Sequence, residues 1–175
     1  GKHKLIDFAR RRQGLIVPPG NPRCVLTLQD LTQEGLRFVN RQRGSGTRIE
    51  LDQLLDAAGI DSKRIRGYET EEATHLSVAA AVAAGAADAG FGIEAAALHY
   101  QLGFVPLASE HYYLVCLKET LDHPAVKILV AHLTTEAWRA RLKGLPGYDI
   151  DTPGQIVSLT RTLPWYRLRR TKRIA

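Results

Sequence analysis

Residues 36–59 constrain the fold more than any other stretch. Leu36-Arg37-Phe38-Val39-Asn40 reads as a short buried strand, and Arg41-Gln42-Arg43-Gly44-Ser45-Gly46-Thr47-Arg48 follows it as a glycine loop. From Ile49 onward the chain reads as an amphipathic helix: Ile49, Leu51, Leu54, Leu55 and Ala58 keep largely to one face, and Gly59 supplies the C-terminal stop. A strand that feeds a helix through glycines is the repeating unit of layered α/β folds, in which helices cover a largely parallel sheet. The rest of the chain alternates in the same way. Strands are expected at 14–17, 65–69, 89–93, 104–107 and 112–117, and helices at 74–87, 94–102, 124–133 and 135–142. A brief helix capped by Thr27 precedes the 36–40 strand, and Pro18-Pro19-Gly20-Asn21-Pro22 forbids helix ahead of it.

Composition narrows the class. With 175 residues, 45% of them hydrophobic and 24% charged, the chain can bury a sizeable core. No apolar run reaches the roughly 20 residues that a bilayer crossing needs. The longest, near 78–87, soon meets Asp88. Lys2 and Lys4 are not followed by an apolar core and a small-residue cleavage site, so a cytoplasmic location without membrane contact is expected. Cys24 and Cys116 are too few and too distant for a disulfide framework or a zinc site and read as buried small hydrophobes. The six histidines lack metal-ligand spacing, so neither a metal nor a cofactor is expected.

The net charge of +6 is concentrated at 10–12, 41–48 and 167–173. The last cluster follows Trp165 and Tyr166; it suits either nucleic-acid contact or a solvated basic tail. The middle cluster surrounds the glycine loop and carries the chemistry. A strand-to-helix turn leaves backbone N–H groups without intrahelical partners, and the helix macrodipole adds partial positive charge. Gly44 and Gly46 let a ligand approach the backbone, Ser45 and Thr47 add hydroxyls, and Arg41, Arg43 and Arg48 bias the mouth toward an anion. The competing role is a capped helix with solvated arginines. Two further places suit the same crevice. Thr74 and His75 open the next helix, Thr74 as cap or ligand contact and His75 as donor or surface residue. Gly92 and Ile93 turn the 89–93 strand into a helix, with Glu94 favourably placed on the helix dipole. Ser45 lacks the context of a nucleophile elbow, so catalysis is not expected.

The loop at 37–48, the glycine and proline punctuation at 13–22, Thr74-His75-Leu76 with the small residues after it, and 85–94 together resemble one known family. It is the type 2 periplasmic-binding-protein-like domain found attached to molybdate-type helix-turn-helix regulators and molybdopterin-biosynthesis proteins. The resemblance covers roughly residues 12–148. It implies an α/β fold of two lobes, each an open sheet with helices on both faces, and a ligand-sensing function for a small oxyanion such as molybdate or tungstate. A half-lobe before Arg10 and a helix-turn-helix module, through which alone DNA would be bound, are expected outside this chain. On this reading 1–35 is a crossover with part of lobe 1, 36–102 is lobe 2, 103–150 returns to lobe 1 and 151–175 is a basic tail. Uncovered strand edges would then favour a homodimer. An extracytoplasmic receptor of an anion transporter and an accessory domain of a molybdopterin-biosynthesis enzyme are the alternatives.

Overall fold

A computed structural model describes residues 2–163 of the chain, and the basic run 165–173 lies outside the described residues. Among the described residues, seven strands, six α-helices and three short 3-10 turns alternate. The strands are β1 His3–Val17, β2 Phe38–Arg41, β3 Glu71–Glu72, β4 Ala89–Ile93, β5 Gly103–Leu117, β6 Tyr148–Asp149 and β7 Ile156–Ser158. The helices are α1 Gly46–Ala57, α2 His75–Ala83, α3 Glu94–His99, α4 Pro124–Leu133, α5 Glu136–Lys143 and α6 Leu159–Thr162. None is long and apolar enough to cross a membrane among the described residues. The chain divides into two compact units, Arg11–Glu110 and a second made of Gly1–Arg10 with His111–Ala175.

In the Arg11–Glu110 unit the strand order is β3-β2-β4-β1-β5. β2 runs parallel to β3 and to β4, with Asn40 opposite Glu71 and Phe38 opposite Ala89. β1 runs antiparallel to β4, pairing Gln13 with Ile93 and Leu15 with Phe91. The sheet is therefore mixed rather than largely parallel. Its parallel part is confined to the strands joined by helical crossovers, the connection that parallel pairing requires. Side chains alternate across it. Leu15, Val17, Phe38 and Phe91 meet Leu51 and Leu55 of α1 on one face. Ile16 and Val39 meet Val78, Ala79 and Val82 of α2 with Ala96 and Ala97 on the other. Helices thus cover both faces, as expected. Burying each large apolar side chain stabilises the unit by about 1.5–3 kcal/mol. Ile49, expected on the buried face of α1, is half exposed, and Leu51 and Leu55 make the contact instead.

The strand expected at 65–69 does not form. Asp61 caps a 3-10 turn over Ser62–Arg64, and Gly67 then adopts φ +91°. A Cβ at Gly67 would lie 2.1 Å from the Phe38 carbonyl oxygen, so the backbone crosses β2 too closely for a side chain. Regular pairing resumes only at Glu71–Glu72. The helices expected at 74–87 and 94–102 stop earlier, at Ala83 and His99, where Gly85 and Gln101 turn to positive φ. The two strands expected at 104–107 and 112–117 are one, β5. Cys24 is exposed rather than buried because it sits at φ +51° in the turn after Asn21.

In the second unit the N-terminal part of β1 pairs with β7, Leu5 opposite Val157, and β6 also pairs with β1. Ala9, Leu142 and Ile150 form a small core with Phe8, Trp138 and Tyr148. Buried Asp7 accepts from Thr152 Oγ1 at 2.7 Å and faces His111 Nε2 at 2.9 Å, while Tyr113 Oη meets His111 Nδ1 at 2.7 Å. This network gives the polar residues inside two long strands their partners.

Candidate functional site

Because β2, β3 and β4 are parallel, their C-terminal ends share one sheet edge, and each leads into a helix: α1, α2 and α3. Helix N-termini therefore gather there, with their unpaired N–H groups and positive dipole ends. The first residues of β1 within this unit reach the same edge, since Gln13 pairs with Ile93 at the end of β4.

Ser45 is the N-cap of α1, and its hydroxyl accepts from the Arg48 N–H at 3.2 Å. The N–H groups of Gly46 and Thr47 meet no acceptor among the described residues. Gly44 supplies the positive φ of +82° that turns the loop. Thr47 is buried and Gly46 exposed.

The three arginines of the loop do not act together. Arg43 is exposed and paired with Glu69 and Glu71. Arg41 Nη2 donates to the Ala73 carbonyl at 3.0 Å and so holds the approach to α2. Arg48 turns inward and is only 4% exposed. Its guanidinium meets Asp52 and Glu71, each at 3.1 Å, the Arg41 carbonyl at 3.3 Å and the face of the Tyr68 ring at 4.1 Å. Burial works against its charge, but Tyr68 and Asp52 outweigh that effect and hold its pKa above the usual arginine value. Burial, with Asp52 beside it, raises Tyr68 in turn. Arg48 ties α1 to β2 and to the segment around Glu71.

Thr74 caps α2 by accepting from the Ser77 N–H at 2.9 Å, and Ser77 returns the bond to the Thr74 N–H. His75 packs against β4: a Cβ on Gly92 would lie 3.4 Å from its Nδ1, which is buried without a hydrogen-bond partner. Burial, then Arg41 and Arg11, push its pKa down to about 3. The ring is thus neutral at physiological pH, with a single N–H to give. A cleft of about 380 Å³ lies beside it, lined by Thr74, His75, Leu76, Ile93, Ala96 and His99 among others. Glu94 pairs with Arg12 at 2.7 Å.

Three residues that sequence reasoning passed over complete the edge. Side-chain alternation along β1 puts Arg11 and Gln13 on the same face as Leu15 and Val17, the face of α1. Glu110, on β5, accepts through one carboxylate oxygen from Arg11 Nε at 2.6 Å and from Gln13 Nε2 at 2.9 Å. Its other oxygen would lie 3.9 Å from a Cβ on Gly46. Gln13 is 1% exposed, and its carbonyl oxygen Oε1 has no partner. The local signal was an amide at an inward position of a strand pattern, one step beyond Leu15. Ser45, Gly46 and Thr47 therefore stand with Arg11, Gln13 and Glu110, whereas Thr74, His75 and Arg41 belong to the α2 side of the sheet. Arg11 is close enough to both sets to act on His75. The edge can hold an anion on amides and a guanidinium, with a carboxylate beside it.

The family model described as the PBP superfamily domain matches residues 1–134. The uncharacterized protein YvgK of Bacillus subtilis (strain 168) is 34% identical over 153 residues, 87% of this chain and 49% of its own length. The chain thus spans about half of that relative. An uncharacterized protein of the ferredoxin 2Fe-2S gene 5' region of Clostridium pasteurianum is 39% identical over 111 residues, 63% of this chain and 98% of its own length. Among solved structures, L-phospholactate-bound PEB3 is similar at TM-score 0.60 and 17% identity, over 84% of this chain and 68% of its own. The substrate-binding domain of a putative molybdenum ABC transporter from Clostridium difficile is similar at 0.57 and 17%, over 84% and 66%. The regulatory domain of Synechocystis PCC6803 CcmR in complex with 2-PG is similar at 0.60 and 15%, over 75% and 65%. At these identities the likeness is one of fold.

Proposed function

The chain belongs to the PBP superfamily domain family, whose domains bind small ligands, and on that premise we propose that it is a sensor of a small oxyanion. The observation that carries this reading is the pair of amides at Gly46 and Thr47, left without acceptors among the described residues at the N-terminus of α1, with Glu110, the partner of Arg11, next to Gly46. Arg11 brings a guanidinium to the same edge, where Glu110 fixes it through Nε at 2.6 Å. Ligands named for the structural neighbours support the same chemistry: L-phospholactate and 2-PG are anionic, and a third neighbour is the substrate-binding domain of a putative molybdenum ABC transporter. Molybdate and tungstate, which the family resemblance implies, are two candidates within that class.

The protein acts by binding rather than by catalysis. In the cytoplasm its occupancy would govern transcription, or molybdenum-cofactor assembly, through a module outside this chain. The likeness to the substrate-binding domain of a transporter favours a second reading, an extracytoplasmic receptor. Cell fractionation of the full-length protein separates the two. Calorimetric titration with molybdate, tungstate, sulfate and phosphate tests the oxyanion site itself. Saturable binding of at least one, lost when Gly46 is replaced by a bulky Val, is the expected result. No heat from any of the four overturns the proposal.

A further inference from the structure

The α2 face of the sheet carries a second cleft, of about 380 Å³, while α1 covers the other face. This cleft lies wholly within the Arg11–Glu110 unit, between the C-terminal end of α2 and the segment 66–72, which ends in β3. Its wall is apolar and made of small side chains: Val39 of β2, with Ala81, Ala86 and Ala87 at the end of α2 and after it. Methyl groups leave the volume open, and an apolar group placed against them is removed from water. Two opposite charges stand on the rim, Arg66, which is exposed, and Glu72, which is half-buried. Among the described residues neither side chain makes a hydrogen bond or an ion pair, with the other or with any third group. Elsewhere in the unit the arginines are taken up: Arg11, Arg12, Arg43 and Arg48 each hold a carboxylate. Arg37, on the rim of the same cleft, is engaged too, since its Nε and Nη2 donate to the two oxygens of Asp88 at 3.1 and 2.8 Å. The cleft thus presents one cation and one carboxylate that do not reach each other, over an apolar wall.

We propose that this cleft is a second ligand site, for a free α-amino acid with a branched apolar side chain: Arg66 takes its carboxylate, Glu72 its ammonium, and the alanine wall its side chain. The site goes beyond the oxyanion reading and stands without it. A simple anion would gain Arg66 but set its charge against Glu72, and a simple cation would meet the reverse. A zwitterion satisfies both groups at once. Because α2 ends against the cleft, the negative end of its dipole adds to the preference for an ammonium there.

Titration of the protein at neutral pH with L-valine and L-leucine, followed by the backbone amide resonances, tests this. At least one of the two should shift the amides of Ala81, Ala86 and Ala87 saturably. It should bind about tenfold or more tightly than its deaminated acid, isovalerate or isocaproate, and than its decarboxylated amine, isobutylamine or isoamylamine. Arg66→Gln and Glu72→Gln each remove one charge from the rim and should each weaken binding by about tenfold or more. Ala86→Leu fills the cleft from an exposed position and keeps both charges; it should weaken binding as well, with Tm measured for all three variants to show that they fold. No saturable shift at those amides with either amino acid overturns the site. An acid or an amine that binds as tightly as the amino acid overturns the zwitterion requirement and with it the proposal. Unchanged affinity in any of the three folded variants overturns the roles given to the rim and the wall.

Discussion

Replacing Arg48 with Ala separates a structural role from a ligand-binding one. The guanidinium is 4% exposed and holds Asp52 and Glu71, which are 44% and 28% exposed, as well as the Arg41 carbonyl. Removing one partner of a fully buried ion pair costs about 3–5 kcal/mol, because the other charge is stranded. Here the carboxylates keep part of their water, which lowers the figure to about 2–3 kcal/mol once the cation–π contact with Tyr68 is included. For a chain of this size that corresponds to a fall in Tm of about 4–12 °C. Thermal and urea unfolding of the wild type, Arg48→Ala and Arg48→Met measure it. Met keeps the packing and loses the charge, so it should recover part of the deficit. A double-mutant cycle with Glu71→Gln should return a coupling of about 1 kcal/mol or more. Anion affinity of the folded variants should stay within about threefold of wild type, less than the loss of a charge-assisted bond would cause. An unchanged Tm with collapsed binding refutes the structural assignment and makes Arg48 a ligand contact.

Further expectations concern the same edge and its support. With a folded pKa near 3 against about 6.5 unfolded, His75 stays neutral in the native state while the unfolded chain takes up a proton. Its contribution to stability is complete above pH 6.5 and declines as pH falls toward 3. The fall in Tm across that window should be shallower in His75→Phe, and equal slopes would show that the ring titrates normally. Ser45→Ala should cost about 1 kcal/mol through the lost cap, read by urea unfolding, and no loss would mean the cap is replaced. Gly67→Ala and Gly14→Ala put a Cβ 2.1 and 2.0 Å from the carbonyl oxygens of Phe38 and Val105. Each should cost about 3 kcal/mol or more, against about 1 for Gly44→Ala, which meets open space at positive φ. Equal stability of the three variants would contradict the close strand approach.

Much of the fold was legible because it is local. Apolar alternation marked β4 over its true length, and the 3.6-residue pattern after Pro124 marked α4. The glycine loop announced the start of α1, and Thr74 announced that of α2, since caps and positive-φ glycines act on their own neighbours. Reading failed where a distant partner decided the outcome. Polar residues between 108 and 111 looked like a break in β5, yet Glu110 and His111 continue the strand because Arg11, Gln13 and Asp7 receive them. Two arginines of the loop looked available to a ligand until Glu69, Glu71 and Asp52, each set by the fold, took them up. Local sequence sets the alternation of elements and the unpaired amides of one helix N-terminus. Tertiary structure alone decided what stands beside those amides, because Arg11 and Glu110 are 99 residues apart. No periodicity spans that interval; strand pairing does, and it alone brings an arginine, a buried amide and a carboxylate to one edge of the sheet.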